Sequence, residues 1–429
     1  MRRVPRIAIV GGGVGGLATA LALERRGAEI VVCEQSPALN EIGAGLNLSP
    51  NALMALRVLG VEDQVIALGC ESDFLVIRSW KSGRIISRMR RGAFRQQFGA
   101  PNLTVHRADL LDVLCGALKT VTLRFGARCI AVEQCDRGGV ARFADGSEIE
   151  ADIIVGADGI HSVVRKTLFG PDAPRFTGCI CWRGMAATST VPRDIDVAEG
   201  AMWMGPHGHV VHYPVRRGEL INIVAHFDSD SWTEESWTRE CDVSELTTTY
   251  AGWHPDLLRL YPYSARWYKW ALYDRDPVAR WSKGRVTLLG DSAHAMLPYL
   301  GQGAAMALED ACVLSAAIAR HANDLDEACS HMSGPGRHVR GQLCWDRVSG
   351  PAKTILPRRG RGSNATSNSR FVSASVVTRQ CFRLRGSMAM MSSANWDDAK
   401  LPTMSSRKRL GFRTIQVCPK DLADASGPS

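Results

Sequence analysis

The sequence predicts an α/β protein in which a Rossmann-like domain is interleaved with a second, α+β domain that contains an antiparallel sheet. Three observations predict this fold class. An apolar run at residues 6–10 ends in a glycine-rich turn and continues into a helical pattern over residues 17–26. Short alternating runs over residues 173–281 are typical of antiparallel strands. An apolar segment that ends in Gly290-Asp291 then leads into a helix of small residues.

The opening turn reads Gly11-x-Gly13-x-x-Gly16. The first glycine permits a tight turn, the second lets the backbone approach a pyrophosphate at the helix N-terminus, and the third lets helix and strand pack closely. Glu34 follows the second apolar run, at the separation where a carboxylate accepts hydrogen bonds from an adenosine ribose. The pattern therefore predicts a dinucleotide site, and the alternative is a glycine-rich turn without a ligand.

Two further motifs make this prediction more specific. Residues 156–165 read G-A-D-G-I-H-S-V-V-R, which includes Asp158 and follows a strand-like run at residues 152–155. In residues 290–310 an acidic turn precedes a loop of proline and glycine and then a small-residue helix. Asp291 and the helix start at residues 301–305 supply the carboxylate and the backbone donors that a ribityl chain and a pyrophosphate need, which indicates a flavin. The alternative for Asp291 is a helix N-cap.

With these three motifs in order, residues 1 to about 328 resemble the FAD-dependent aromatic hydroxylases, the single-component flavoprotein monooxygenases typified by salicylate hydroxylase. The resemblance implies a Rossmann-like FAD-binding domain, a substrate domain whose antiparallel sheet covers the flavin, and NADH or NADPH as co-substrate. It assigns residues 1–70, 100–172 and 282–328 to the FAD-binding domain, and residues 71–99 and 173–281 to the substrate domain.

The implied reaction is hydroxylation of a phenolic aromatic acid with O2, through a C4a-hydroperoxide of the flavin, with salicylate 1-monooxygenase chemistry as the first expectation. The alternatives are a 3-hydroxybenzoate 6-hydroxylase or a hydroxynicotinate hydroxylase. Two hypotheses from other classes stay open. One is an FAD-binding product without activity, and the other is a nucleic-acid-binding protein with a basic tail.

The resemblance also assigns residues to roles. Besides the glycines and Glu34, the expected cofactor contacts are Ala44, Gly45, Arg107, Asp158, Asp291, Gly303 and Ala304. The expected substrate residues are Asn47, Arg183 and Pro298, with Arg183 pairing either with a substrate carboxylate or with an acidic surface residue. Gln302 and Tyr299 are catalytic candidates in the loop before the last helix.

Oxygen transfer to a phenol also calls for a base near the ring hydroxyl. His209 and His212 lie on one predicted strand, and their odd separation places them on opposite faces, so that one alone can face the pocket. We favour His212, because the triplet that it forms with Tyr213 and Pro214 resembles the family position where a histidine or tyrosine approaches the substrate. The alternative is a core or exposed histidine.

Composition fits a cytoplasmic enzyme. The 429 residues are 45% apolar, yet no run of eighteen apolar residues indicates a membrane span and no cleavage site follows the first residues. The 13 cysteines are scattered, only Cys179-x-Cys181 is closely spaced, and no metal site is expected. The expected partners are a small aromatic substrate and O2. The oligomeric state stays open, although a dimer is common in the family.

The net charge of +9 comes from the last part of the chain. Residues 331–429 contain 17 Lys and Arg against 5 Asp and Glu, which leaves 35 against 38 for residues 1–330. No nucleic-acid-binding motif accompanies this basic tail. Residues 329–429 depart from the family, and reading the codons one frame over permits family-like sequences in three places. This favours a frame slip near residue 328, whether a sequencing error or a pseudogene lesion, over a disordered extension; resequencing the gene there would distinguish them.

Overall fold

The computed structural model describes residues 4–39, 44–230, 239–276 and 278–332. The strands in these residues form four sheets. In chain order they are β1 (Arg6–Val10), β2 (Glu29–Cys33), β3 (Gly45–Leu48), β4 (Cys70–Glu71), β5 (Phe74–Ser79), β6 (Ile85–Arg90), β7 (Leu103–His106), β8 (Thr122–Arg124), β9 (Cys129–Cys135), β10 (Gly138–Phe143), β11 (Glu148–Ala151), β12 (Ile153–Gly156), β13 (Arg175–Ala187), β14 (Gly200–Gly205), β15 (Gly208–Val215), β16 (Leu220–Asp228), β17 (Glu240–Cys241), β18 (Ser264–Asp274), β19 (Ser282–Lys283) and β20 (Val286–Leu288).

The α-helices of the described chain lie between these strands and after them. They are α1 (Val14–Glu24), α2 (Pro50–Val58), α3 (Glu62–Leu68), α4 (Phe94–Phe98), α5 (Arg107–Gly116), α6 (Val163–Phe169), α7 (Val243–Thr249), α8 (Pro255–Leu260), α9 (Asp291–His294), α10 (Gly303–Arg320) and α11 (Leu325–Ser330). Short 3-10 turns occur at Thr188–Thr190, Arg216–Gly218, Tyr261–Tyr263 and Pro298–Leu300.

A six-stranded sheet forms the centre of the first domain, in the order β19-β20-β12-β1-β2-β8. All its pairs are parallel except the edge pair of β19 with β20. Strand β1 is buried along nearly its whole length, as expected for a parallel strand covered on both faces. One core joins this sheet to the three-stranded sheet β11-β10-β9, and a second core lies among α1, α2, α5 and α10. The carboxyl ends of β1 and β12 thereby meet beside α1.

An eight-stranded sheet forms the second domain, in the order β17-β18-β13-β16-β15-β14-β5-β6. Its pairs are antiparallel except β14 with β5. All eight strands come from the two stretches that the sequence analysis assigns to the substrate domain. Apolar residues of one face pack with α7 and α8 into a core of their own. The predicted fold class is confirmed.

The last described residues belong to the core of the first domain. Helix α11 ends at Ser330, Cys329 is fully buried, and Met332 is 3% exposed in the same cluster as β1. Residues 333–429, which hold nearly all of the predicted basic tail, lie outside the described residues, so the frame slip stays a prediction. No helix of the described chain is long and apolar enough to cross a membrane.

Candidate active site

The turn after β1 requires glycine at two positions. Gly11 has φ = +109°, and its N–H donates to the carbonyl of Cys33 at 2.8 Å. A Cβ atom on Gly11 would lie 2.2 Å from the carbonyl oxygen of Ala157, and one on Gly16 would lie 1.9 Å from the carbonyl oxygen of Gly11. A side chain at either position would therefore push α1 or β12 away from the turn.

The N-terminus of α1 has the features of an anion-binding site. Gly13 is its N-cap. In the part of the chain that the structure describes, no side chain caps this helix, and its first turn contains no acidic residue. A helix N-terminus of this kind carries partial positive charge and unsatisfied N–H groups, which suit a phosphate. Nη2 of Arg107 lies 3.8 Å from the position that a Cβ atom on Gly13 would take. A guanidinium thus faces the same turn.

Glu34 is fixed against the glycine turn directly after β2. Its Oε2 accepts from the N–H of Gly12 at 2.7 Å, and its Oε1 accepts from the N–H of Ser36 at 2.8 Å. Each carboxylate oxygen keeps a second lone pair for another donor. The carboxylate is therefore held in place with free acceptor capacity beside the turn, which is what a ribose contact requires.

Arg107 links this turn to the third motif. It begins α5, and its N–H donates to the carbonyl of Ala44 at 2.7 Å. Burial and Arg183 lower the pKa of Arg107 to about 10, while Asp291 and Glu34 oppose the shift. Two carboxylates and a second guanidinium therefore act electrostatically on Arg107.

Asp291 faces the N-terminus of α10 rather than capping a helix. Gly290 is the N-cap of α9, and the Asp291 side chain is exposed. Its Oδ1 lies 3.9 Å from the position of a Cβ atom on Gly303, the first residue of α10. Desolvation by the surrounding residues raises the pKa of Asp291, while His294 and Arg107 act to lower it. The carboxylate and the open N-terminus of α10, with its Gly303 and Ala304 amides, thus lie side by side.

Asp158 serves its own loop. Its carboxylate accepts from the Oγ of Ser162 at 2.6 Å and from the N–H groups of Val163 at 2.7 Å and Val164 at 3.2 Å, which are the first residues of α6. Both oxygens thus hold the start of α6, which gives Asp158 a positioning role in its own loop, and its direct contact with the cofactor stays a prediction. The same loop lies beside Gly11, since a Cβ atom on Gly11 would lie 3.0 Å from the backbone nitrogen of Asp158.

Arg165, at the end of the same motif, was not singled out as a site residue. It is 2% exposed, pairs with Asp172 at 2.6 Å, and donates to the carbonyls of Ser292 and Ala293 at 3.4 and 3.3 Å. Arg165 therefore ties the second motif to α9, the helix that Asp291 begins.

The loop before α10 is anchored by Gln302. Its Nε2 donates to Ser49 Oγ at 2.9 Å, and its Oε1 accepts from Asn51 Nδ2 at 3.2 Å. Because these partners lie at the start of α2, the side chain holds α10 to α2 instead of pointing freely at a substrate. These bonds give Gln302 a positioning role, and the catalytic role expected of it stays a prediction.

Residues of the β3 segment lie between the two domains. Asn47 Oδ1 accepts from Asn102 Nδ2 at 2.8 Å and from Arg91 Nη1 at 3.4 Å, and its Cβ lies 3.3 Å from the position of a Cβ on Gly301, in the loop that Pro298 begins. The N–H of Gly45 donates to Asn222 Oδ1 on β16 at 2.9 Å. Residues 40–43, which precede this segment, lie outside the described residues.

The register of the eight-stranded sheet decides which side chains face the first domain. His209 is paired with His226 and Tyr213 with Asn222, so these four share one face. A Cβ atom on Gly45 would lie 2.6 Å from Cε2 of Tyr213. The face that carries His209 and Tyr213 is therefore the one that meets the first domain, and we call it the cleft face.

The preference for His212 over His209 is wrong. His212 is paired with Ala201 and Ile223, and Ile223 belongs to the core under α7 and α8. The side chain is 2% exposed and faces away from the cleft; its pKa is lowered to about 4 by burial and by Arg78. The odd spacing correctly predicted that only one of the two histidines faces the cleft, and that residue is His209.

Aromatic and cationic groups lie on the cleft face or pack against it. Tyr299 lies with its ring centroid 5.6 Å from that of His209 and 5.6 Å from that of His226. The Cζ of Arg183 lies 4.7 Å from the ring centroid of Trp270. Cys179 and Cys181 lie on this face beside Trp270, and no group of three metal-binding side chains occurs among the described residues.

Two groups on this face have displaced pKa values. Burial raises the pKa of Tyr213 to about 12, with Arg183 and Arg91 acting in the opposite direction. Burial lowers the pKa of His209 to about 4, so its imidazole is neutral at pH 7. A neutral imidazole, a phenol and a guanidinium can together orient an anionic, hydroxylated ring.

A separate groove of about 600 Å³ lies at the surface between α3, α5 and the turn after β15. Its lining includes Asp109 and Arg216, which already pair at 2.7 Å. None of the cleft residues lines this groove, and we assign no ligand to it.

Comparison with known proteins shows which proteins this chain is similar to. Residues 5–329 match the family described as FAD binding domain. The chain is 41% identical over 312 residues to 3-amino-4-hydroxybenzoate 2-monooxygenase PtnB3 of Streptomyces platensis, which covers 72% of this chain and 78% of that protein. It is 39% identical over 328 residues to 3-hydroxybenzoate 6-hydroxylase of Polaromonas naphthalenivorans, covering 75% and 81%. The crystal structure of Klebsiella pneumoniae HpxO with FAD and uric acid superimposes with a TM-score of 0.69 at 25% identity, covering 82% of this chain and 90% of that one.

Proposed function

Because the chain belongs to the FAD-dependent aromatic hydroxylases, we propose that it inserts one oxygen atom of O2 into the ring of a hydroxylated benzoate. NADH or NADPH supplies the two electrons, the ring C–H becomes C–OH, and the second oxygen atom leaves as water. The names of the two relatives favour 3-amino-4-hydroxybenzoate or 3-hydroxybenzoate over salicylate, the first expectation from the sequence, as substrate.

The residues of the first domain fit FAD. Glu34 would hold the adenosine ribose, the N-terminus of α1 with Arg107 the pyrophosphate, and Asp291 the ribityl chain. The amides at the start of α10 would face the pyrimidine edge, where a helix N-terminus stabilises negative charge. FAD, when bound, supplies the redox chemistry by accepting electrons from NAD(P)H and delivering an oxygen atom from O2.

The cleft face provides the substrate contacts in this proposal. Arg183 is a cation on the face that meets the flavin domain, where it can pair with a carboxylate. Neutral His209 accepts a hydrogen bond from the ring hydroxyl and Tyr213 orients the same oxygen, so that the ring is electron-rich where oxygen is inserted. Tyr299 and Pro298 form the opposite wall.

The proposal rests most on one observation: Gly45, one of the residues expected to contact the cofactor, packs directly against Tyr213 on the cleft face. The test is NAD(P)H oxidation by the FAD-loaded protein with 3-amino-4-hydroxybenzoate, 3-hydroxybenzoate, 6-hydroxynicotinate and salicylate, with mass spectrometry of the products. We expect faster oxidation and a product heavier by one oxygen atom with at least one acid. FAD retention without any product from the four acids would instead favour the hypothesis of an inactive FAD-binding protein.

A further inference from the structure

His226 is a buried polar side chain without a partner on the cleft face. It lies near the middle of the eight-stranded sheet on β16 and is 5% exposed. Neither ring nitrogen has a hydrogen-bond partner in the described part of the chain. Its ring stacks on that of His209, with centroids 4.5 Å apart and an angle of 18° between the planes. Tyr299 of the opposite wall contacts the same ring edge-on.

An unsatisfied nitrogen in such a place is costly. A buried donor or acceptor without a partner costs about 1–3 kcal/mol, and buried side-chain nitrogens are mostly hydrogen-bonded. Burial, His209 and Arg183 all lower the pKa of His226, so the ring is neutral at pH 7. A neutral imidazole has one N–H donor and one acceptor nitrogen. Its preferred ligand is therefore an uncharged polar group, not a carboxylate.

The position of His226 relative to Arg183 defines what can lie between them. His226 is paired with Cys181, and Arg183 is two residues further along the same strand. His226 and Arg183 are therefore diagonal neighbours on one face of the sheet, roughly 7–8 Å apart. A single substituted benzene ring can bridge this spacing, with its carboxylate at Arg183 and a second substituent at His226. Val224, which is paired with Arg183 and lies two residues from His226 on β16, offers only apolar surface to the ring.

We propose that His226 is a specificity residue that accepts a hydrogen bond from an amino or second hydroxyl group on the substrate ring, adjacent to the hydroxyl that His209 contacts. The preferred substrate is then a benzoate with two neighbouring polar substituents, not a monohydroxybenzoate. This inference rests on the proposed function, since it assumes that the cleft binds an aromatic acid.

The test measures binding, so it does not depend on turnover. Dissociation constants are determined from the change in flavin absorbance of the FAD-loaded protein for 4-hydroxybenzoate, 3-amino-4-hydroxybenzoate and 3,4-dihydroxybenzoate. We expect the wild type to bind at least one disubstituted acid about tenfold more tightly than 4-hydroxybenzoate, the ratio that one such hydrogen bond gives. The amino and dihydroxy acids distinguish the two possible donors.

Three variants separate the role of His226 from a purely structural one. His226→Phe should reduce the preference to less than about twofold, whereas His226→Gln, which keeps a donor and an acceptor, should retain part of it. His212→Phe is the matched control, because His212 is equally buried on the opposite face of the same sheet, and it should leave the ratio unchanged.

Several results would overturn the inference. They are a wild type without preference, a His226→Phe protein that keeps the full ratio, or the same loss in the His212→Phe control. Failure of the proposed function would be visible separately, as an absence of NAD(P)H oxidation or of product in the wild type. A wild type that binds none of the three acids would count against both.

Discussion

Replacement of Asp291 by alanine tests the cofactor site most directly. The side chain is exposed to the cleft. Desolvation by the surrounding residues raises its pKa in the folded protein, so its charge does not stabilise the FAD-free fold. A carboxyl group with a folded pKa above the unfolded value costs stability once the pH exceeds the unfolded pKa. Asp291→Ala should therefore leave the melting temperature of the FAD-free protein unchanged or slightly raised at pH 8.

FAD binding should change in the opposite direction. A hydrogen bond to a charged group contributes about 1.5–3 kcal/mol, so losing one contact to the ribityl chain weakens binding by roughly 10- to 150-fold. Because His294 and Arg107 lower the pKa of the Asp291 carboxyl, both also favour its anionic form for that contact. Asp291→Asn should give an intermediate loss, since the amide keeps one acceptor oxygen.

The assay is titration of the FAD-free protein with FAD, followed by the quenching of flavin fluorescence, with thermal unfolding measured in parallel. Glu150→Ala, an exposed acid on β11, is the control for a lost negative charge. An FAD dissociation constant within about twofold of wild type for Asp291→Ala would refute the ribityl role. A large fall in the melting temperature of the FAD-free variant would refute the view that the carboxylate serves a ligand.

Three further predictions concern packing, catalysis and pH. Gly16→Ala should lower the unfolding free energy by about 1–3 kcal/mol, because its Cβ would lie 1.9 Å from the Gly11 carbonyl oxygen, and should impair FAD retention. Gly116→Ala, whose Cβ would meet nothing within 4 Å, should be neutral in the same denaturant titration. His209→Ala should slow hydroxylation by about 100-fold or more at retained FAD content. His212→Ala should lower the stability of the protein without changing the pH profile of the rate. The opposite pattern in steady-state kinetics would place His212, and not His209, in the cleft. Burial raises the pKa of Glu309 to about 7, so the folded protein binds this proton more tightly than the unfolded chain does. The stability of the protein should therefore fall as the pH rises from about 4.5 to 7. Glu309→Gln should reduce this dependence of stability on pH, and an unchanged dependence would contradict the prediction.

Much of the fold could be predicted from the sequence because its signals are local. The first glycine turn, the apolar runs that become β1 and β2, and the helix α10 are each encoded within about twenty neighbouring residues. The alternation over residues 173–281 likewise indicated an antiparallel sheet before its strand order was known. Such patterns set the class of each element, and family resemblance supplied the order in which the elements assemble.

The side chains of the site were harder to predict, because their directions depend on distant partners. Asp158 and Gln302 have the residue types that bind ligands, yet Asp158 bonds to α6 and Gln302 to residues 49 and 51 at the start of α2. Only the three-dimensional arrangement shows that both side chains already hold neighbouring segments in place. Arg165 presents the reverse case, since nothing in its local pattern indicates that it reaches α9.

The histidines of β15 show where the argument from periodicity stops. Alternation along a strand separates His209 from His212, but it does not say which face of the sheet meets the flavin domain. That choice is made by Gly45, more than 160 residues earlier, whose lack of a side chain lets Tyr213 approach and thereby fixes the cleft face. Because His209 and Tyr213 are four residues apart on β15, His209 lies on the same face as Tyr213. Pairing with β16 then brings His226 beside His209. The polar wall of the proposed substrate pocket thus follows from a glycine that no pattern on the strand itself reveals.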